Sequence, residues 1–244
     1  MLNISPVELN FKRLRIERQM QNNQAVFDAI GSCDIKLIYK HSNEKEIVRV
    51  LEETELTIEN LIHHCAQDNI TKRILAGRFS KKASRQGTND EYLQISICAN
   101  IGKHFNIRIE NLPNDAYRPT KLGEILSKTE IKQRNVCKSE CLKSFDGKIS
   151  GQMEGWIFAK VVFESGGHQD NVFEEADCLC NWVKMYQRPE YYVLLIDTDL
   201  IKKYTILKEK YNDIRNILIT NHLEFQQYIL DNYGTSVGEI VSNK

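Results

Sequence analysis

Trp156-Ile157-Phe158-Ala159-Lys160-Val161-Val162-Phe163 form a nearly unbroken apolar run, and Tyr191 to Ile196 form a second. A strand apolar on both faces must be covered on both, which puts it in the middle of a sheet flanked by helices. Between the two runs, Val172, Phe173, Ala176, Leu179, Trp182, Val183 and Tyr186 recur at helical spacing, predicting a helix from Asn171 to Tyr186. Strand, helix and strand in that order make a parallel pair across a helical crossover. Upstream, Ser144 to Ile149 reads as the first strand of a hairpin whose second strand is the run from Gly155 to Glu164.

The rest of the chain reads around that centre. The first eighty residues are expected to be mainly helical, with Ser5 capping a segment that opens at Pro6 and a second helix starting at Thr57. The alternation of Ile35-Lys36-Leu37-Ile38-Tyr39 suggests a short strand between them. His63 and His64, adjacent on a helix, point in different directions, one packed and the other solvated. Thr88-Asn89-Asp90-Glu91 matches a capping box, with Leu93, Ile97 and Ile101 as the apolar stripe of the helix it opens. Phe105 to Ile109 alternates as a strand, and Tyr117 to Cys141 is too polar to assign. Leu200 to Tyr233 returns to helix, with Gly234 as its stop. The fold class is therefore α/β, a mixed sheet core flanked by helices: a helical segment over 1–80, a core over 81–199 and a helical segment over 200–244, in one compact domain.

At 244 residues, with 41% hydrophobic and 27% charged residues, the chain can bury a sizeable core without staples. No apolar stretch is long enough to span a bilayer, and the N-terminus lacks a basic and apolar leader, so a cytosolic protein is expected. Seven cysteines in no framework spacing read as reduced thiols; Cys137-x3-Cys141 and Cys178-x-Cys180 are poor zinc knuckles. The formal net charge of zero excludes a uniformly basic coat. Charge is nonetheless local: Lys72, Arg73, Arg78, Lys81, Lys82 and Arg85 fall within one acid-free run, which suits either phosphate contact or a solvated helix face. Lys12, Arg13, Arg15 and Arg18, interrupted by Glu17, suit a solvated face.

Two acids belong to the predicted hairpin: Asp146 on its first strand and Glu164 at the end of its second. Strand pairing brings such acids to one rim of a sheet, where hard carboxylate oxygens can seat Mg²⁺. An Asp-Gly turn and a strand-end glutamate account for the same residues without chemistry.

The series Phe145-Asp146-Gly147-Lys148-Ile149, then Trp156 to Phe163, then Glu164-Ser165-Gly166-Gly167-His168-Gln169 resembles the EcoRI-like group of type II restriction endonucleases, in the PD-(D/E)XK superfamily. Those enzymes begin a hairpin with Pro-Asp-Gly, continue through an apolar strand to Glu-x-Lys, and enter a His-Gln loop and a helix. The resemblance implies a restriction-endonuclease-like core, Mg²⁺-dependent hydrolysis of double-stranded DNA at a short specific sequence, and Asp146 and Glu164 as metal-binding acids. It also implies a prokaryotic cytoplasmic setting, a homodimer matched to a palindrome, and a cognate DNA methyltransferase. A structure-selective repair or junction-resolving nuclease, and a DNA-binding module without catalysis, are the alternatives.

Phe145 replaces the motif's proline, and Gly166 stands where its lysine belongs. Lys148, Lys160, His168 and Gln169 are the candidate replacements. Lys148 shares a strand face with Asp146 and is preferred, because Lys160 lies roughly 13 Å along the strand from Glu164. His168 offers acid or base chemistry near neutral pH. Glu91 resembles the glutamate that such nucleases carry on a helix before the sheet, although a capping role explains it equally. Lys81, Lys82, Arg85 and Gln86 are expected at DNA phosphates, and His168, Gln169 and Asn171 at the groove.

Overall fold

A computed structural model describes residues 4–163 and 171–234, the side chain of Arg85 excepted. The chain divides into two compact units: Asn10–Gly87, and the residues up to Leu9 together with those from Thr88 onward. The division falls at 87/88 where the sequence suggests 80/81 and one compact domain, and the segment from 200 belongs with the core.

The first unit is helical: α1 (Phe11–Gly31), α2 (Ile35–His41), α3 (Glu44–Thr54), α4 (Ile58–Ala66) and α5 (Asn69–Phe79). Each is started by a side chain that accepts from an orphan backbone N–H, in turn Asn10, Asp34, Asn43, Thr57 and Asp68. Val26, Ile30, Ile38, Ile47, Val50, Leu61, Ile62, Leu75 and Phe79 form its core. Three expectations are corrected. Ile35–Tyr39 is helix because Asp34 caps it and the inward residues are Ile35 and Ile38, three apart, while Leu37 and Tyr39 are exposed. Ser5 caps nothing, since residues 4–9 are not helical and α1 starts at Phe11. His63 and His64 are both exposed.

The second unit holds α6 (Gly87–Gly102), β1 (Ile107–Asn111), β2 (Tyr117–Pro119), β3 (Ile125–Ser127), α7 (Lys128–Gln133), β4 (Gly147–Gly151), β5 (Gly155–Val162), α8 (Asn171–Tyr186), β6 (Tyr191–Thr198), α9 (Ile201–Lys210), β7 (Ile217–Thr220) and α10 (His222–Tyr233). Among the described residues the main sheet is five-stranded and mixed, in the order β1-β4-β5-β6-β7. The first three strands are antiparallel neighbours; β5, β6 and β7 run parallel. β5 is the central strand, and its apolar run needs cover on both faces. Ile107, Ile149, Ile157, Ala159, Val193 and Leu195 pack with α6 and α10. Phe158, Tyr192, Leu194 and Ile196 pack with α8 and α9. The sheet is thus a layer between helices.

The hairpin, the crossover helix and the parallel third strand are as the sequence predicts. The unassigned segment from Tyr117 to Cys141 contains the β2-β3 hairpin and α7. The tail expected to be wholly helical contains β7, whose Ile-Leu-Ile-Thr run takes the free edge of β6. Gly155 shows how closely the parallel strands approach: a Cβ there would lie 2.3 Å from the Tyr191 carbonyl oxygen. Among the described residues no helix is long and apolar enough to cross a membrane.

Candidate active site

Asp146 directly precedes β4. Its N–H donates to the Ile157 carbonyl (2.8 Å) and its Oδ2 accepts the Ala159 N–H (2.9 Å), so the carboxylate is folded onto β5. The register Gly147↔Ile157, continued by one residue, sets Asp146 opposite Phe158, two positions before Lys160. That separation is short enough for direct contact. Lys160 Nζ donates to Asp146 Oδ2 (3.2 Å), to Glu91 Oε1 (2.9 Å) and to the Ala159 carbonyl (2.7 Å), which uses all three of its hydrogens. Glu91 arrives from the second turn of α6. The three side chains are only 18–21% exposed.

Two carboxylates therefore share one ammonium. Burial, opposed by Lys160, leaves the Asp146 carboxyl above the usual carboxylate range. Burial does the same to Glu91, and the nearby Asp146 charge adds to it. Burial works to lower Lys160, but the Asp146 and Glu91 carboxylates outweigh it and the ammonium is held above its ordinary value. Glu175 on α8 is a further acid whose charge raises Asp146; it pairs with Lys143 at 3.1 Å.

The preference for Lys148 is corrected. Lys148 lies opposite Trp156 with its ammonium over the indole, 5.4 Å from the ring centroid, and Lys160 is the lysine at Asp146. The separation along the strand that disfavours Lys160 runs to Glu164, whereas Asp146 is the acid it meets. The capping box at Thr88 is also corrected: α6 begins at Gly87, Thr88 lies inside its first turn, and Glu91 turns to Lys160. Glu164, His168 and Gln169 lie outside the described residues. Asn171 is the exposed first residue of α8. It lines a cavity of about 490 Å³ with Arg118, Lys138, Lys143, Glu174 and Glu175.

In the helical unit the basic run is partly consumed by its own surroundings. Arg78 pairs with Glu53 at 2.5 Å. Lys72 and Arg73 lie over the Phe27 ring. Lys81 donates to the Lys40 carbonyl (2.7 Å) and Lys82 to the Gly77 carbonyl (3.1 Å); both are exposed, with donors to spare. Gln86 accepts from Asn22 at 3.2 Å.

Behind Lys160 lies a buried polar group that sequence reasoning missed, made of Gln94, Asp197 and His222. Only Asp197 stands out in the sequence, as a strand end, and the other two carry no spacing signal because the fold joins α6, β6 and the start of α10.

Asp146 and Glu91 offer the hard oxygens that Mg²⁺ prefers, and the ammonium supplies the positive charge that the two carboxylates require. Two carboxylates of the kind a divalent cation takes therefore lie together, with the Lys160 ammonium between them in this structure. Among the described residues no group of three or more His, Cys, Asp or Glu side chains is placed to hold a metal ion, and the seven cysteines are free thiols. Comparison of the chain with protein families, curated proteins and solved structures finds no match.

Proposed function

We propose that the protein is a Mg²⁺-dependent endonuclease that hydrolyses phosphodiester bonds in double-stranded DNA, of the type II restriction endonuclease kind. One observation carries the reading: Lys160, Asp146 and Glu91 meet at the sheet, so a lysine joins two acids although Gly166 occupies the motif's lysine position. Asp146 and Glu91 would hold the divalent cation, with Glu164 as the acid that the resemblance adds. When bound, such a cation polarises the phosphate and makes a bound water more acidic.

The remaining chemistry belongs to the chain. Lys160, held above its ordinary pKa between the carboxylates, stays an ammonium at neutral pH. With its three hydrogens held by Asp146, Glu91 and the Ala159 carbonyl, it is accordingly a fixed positive charge that steadies negative charge developing beside it, and not a proton acceptor. The Ala159 carbonyl keeps it aimed, and the buried strand beneath it limits its motion. Exposed Lys81 and Lys82 are phosphate contacts in this reading, and Asn171 a groove contact. A homodimer acting on a palindrome and a partner methyltransferase belong to the same proposal.

The test is incubation with plasmid DNA and with a branched DNA junction, each with Mg²⁺ and with EDTA. Discrete plasmid fragments that need Mg²⁺ are expected. Cutting confined to the junction would replace sequence selectivity with structure selectivity, and binding without cutting would overturn the enzyme reading.

A further inference from the structure

Gln94 sits on α6 one turn beyond Glu91 and is fully buried. Its Nε2 donates to Asp197 Oδ2 at 2.6 Å and lies 3.3 Å from the Lys160 carbonyl and 3.4 Å from that of Leu195. One amide group therefore ties α6 to the strand that carries Lys160 and to the next strand in the sheet.

Its anchor is itself held from behind. Asp197 Oδ1 meets His222 Nδ1 at 2.5 Å, and Asp197 Oδ2 also accepts the His222 backbone N–H at 3.3 Å. His222 Nε2 accepts the Leu9 N–H at 3.0 Å, so the ring hydrogen is on Nδ1 and His222 donates to Asp197. Gln226, one turn along α10, clamps Val7 from both sides: Oε1 accepts the Val7 N–H (2.8 Å) and Nε2 donates to the Val7 carbonyl (3.1 Å). Every link has a defined donor and acceptor, running from the N-terminal strap through His222 and Asp197 to Gln94 and the backbone of Lys160.

We propose that Gln94 is a positioning residue that sets the rotation of α6, and with it the aim of Glu91 at Lys160. The Asp197–His222 pair fixes Gln94 in turn. Apolar packing of Ile95, Ile97, Cys98 and Ile101 decides which side of α6 faces the sheet. Such packing tolerates small rotations and slides, whereas a buried hydrogen bond does not, because losing it strands a polar group away from water. This inference rests on the site proposed above.

The test substitutes Gln94→Met, which keeps length and volume and removes the donor. In a crystal structure of the variant, Glu91 Oε1 should leave Lys160 Nζ by more than an ordinary hydrogen-bond distance. Single-turnover cleavage at saturating DNA should fall by about 100-fold, the loss expected from a displacement on the order of 1 Å. DNA affinity should stay within about twofold, since the ground-state complex does not depend on that aim. Asp197→Asn, which keeps the shape and an acceptor oxygen, is the second variant should Gln94→Met not fold; it should lose several-fold in rate with affinity unchanged. A lowered urea midpoint with wild-type cleavage and an intact Glu91–Lys160 contact in Gln94→Met, or wild-type cleavage by Asp197→Asn, would overturn the proposal and leave Gln94 a structural residue. If the native protein cuts no DNA, the nuclease reading fails by itself, and the crystallographic distance still decides the positioning role.

Discussion

Replacing Lys160 by Met removes the ammonium and keeps the length of the side chain, so it isolates one charge. The ammonium holds two carboxylates at 2.9 and 3.2 Å, all three groups being about four-fifths buried. Removing one partner of a buried ion pair costs about 3–5 kcal/mol when the other is left charged. Here a proton can replace part of that stabilisation, because Asp146 and Glu91 already have raised pKa values. The net loss at pH 7.5 is then about 2–4 kcal/mol, read as a fall in the urea midpoint at unchanged slope. The sign with pH follows from linkage. A carboxyl whose folded pKa lies above its unfolded one contributes stability fully below the unfolded value and loses it as pH rises through the folded one. Lys160→Met raises both carboxyls further. The deficit relative to the native protein should therefore shrink as pH falls from 7.5 towards the ordinary carboxylate range. Cleavage under single-turnover conditions should drop by about 100-fold or more at little cost in DNA affinity, since the missing positive charge acts on charge developed in the transition state. A stability loss under about 0.5 kcal/mol, within the range of an ordinary surface substitution, would refute the shared-ammonium account. So would a deficit that does not vary with pH.

Asp146→Asn and Glu91→Gln should each abolish Mg²⁺-dependent cleavage with the circular dichroism spectrum unchanged. Calorimetric Mg²⁺ affinity of the native protein should weaken on acidification from a higher pH than ordinary carboxylates would give, because protons compete for acids whose pKa values are raised. Lys148→Ala should leave cleavage intact and cost about 1 kcal/mol, the order of a cation–π contact between half-buried groups; a severe loss of rate would return Lys148 to the site. Replacing both Lys81 and Lys82 by Gln should weaken binding to all DNA sequences alike and flatten the salt dependence by roughly 0.9 for each phosphate no longer neutralised. An unchanged slope would make them solvated residues bonded only to the Lys40 and Gly77 carbonyls.

The local chemistry of the chain determined a good deal unaided. The run from Trp156 to Phe163 had to be a central strand, and the 3.6-residue recurrence from Asn171 to Tyr186 had to be a helix, because burial on two faces and burial along one stripe leave different periods. A helix start at Thr57 was readable from the apolar spacing after it, and in the fold Thr57 is the cap of the helix that begins at Ile58. Short segments were not legible in this way. Ile35–Tyr39 alternates over too few residues to separate a strand from a helix, and Ile217–Thr220 became a strand only because β6 offered it a free edge. The candidate site divides along the same line. Asp146 and Glu91 could be singled out as acids in suggestive places, but their partner Lys160 could be named only as one of four candidates and not the preferred one, since distance along the chain says little about distance across a hairpin. The turn of the Asp146 carboxylate onto Ala159, the reach of Lys160 to α6, and the junction of Gln94, Asp197 and His222 depend on side chains up to 128 residues apart in sequence. Local pattern is set by neighbours on one element, whereas a buried charge and its counter-charge are set by which elements the whole core brings together.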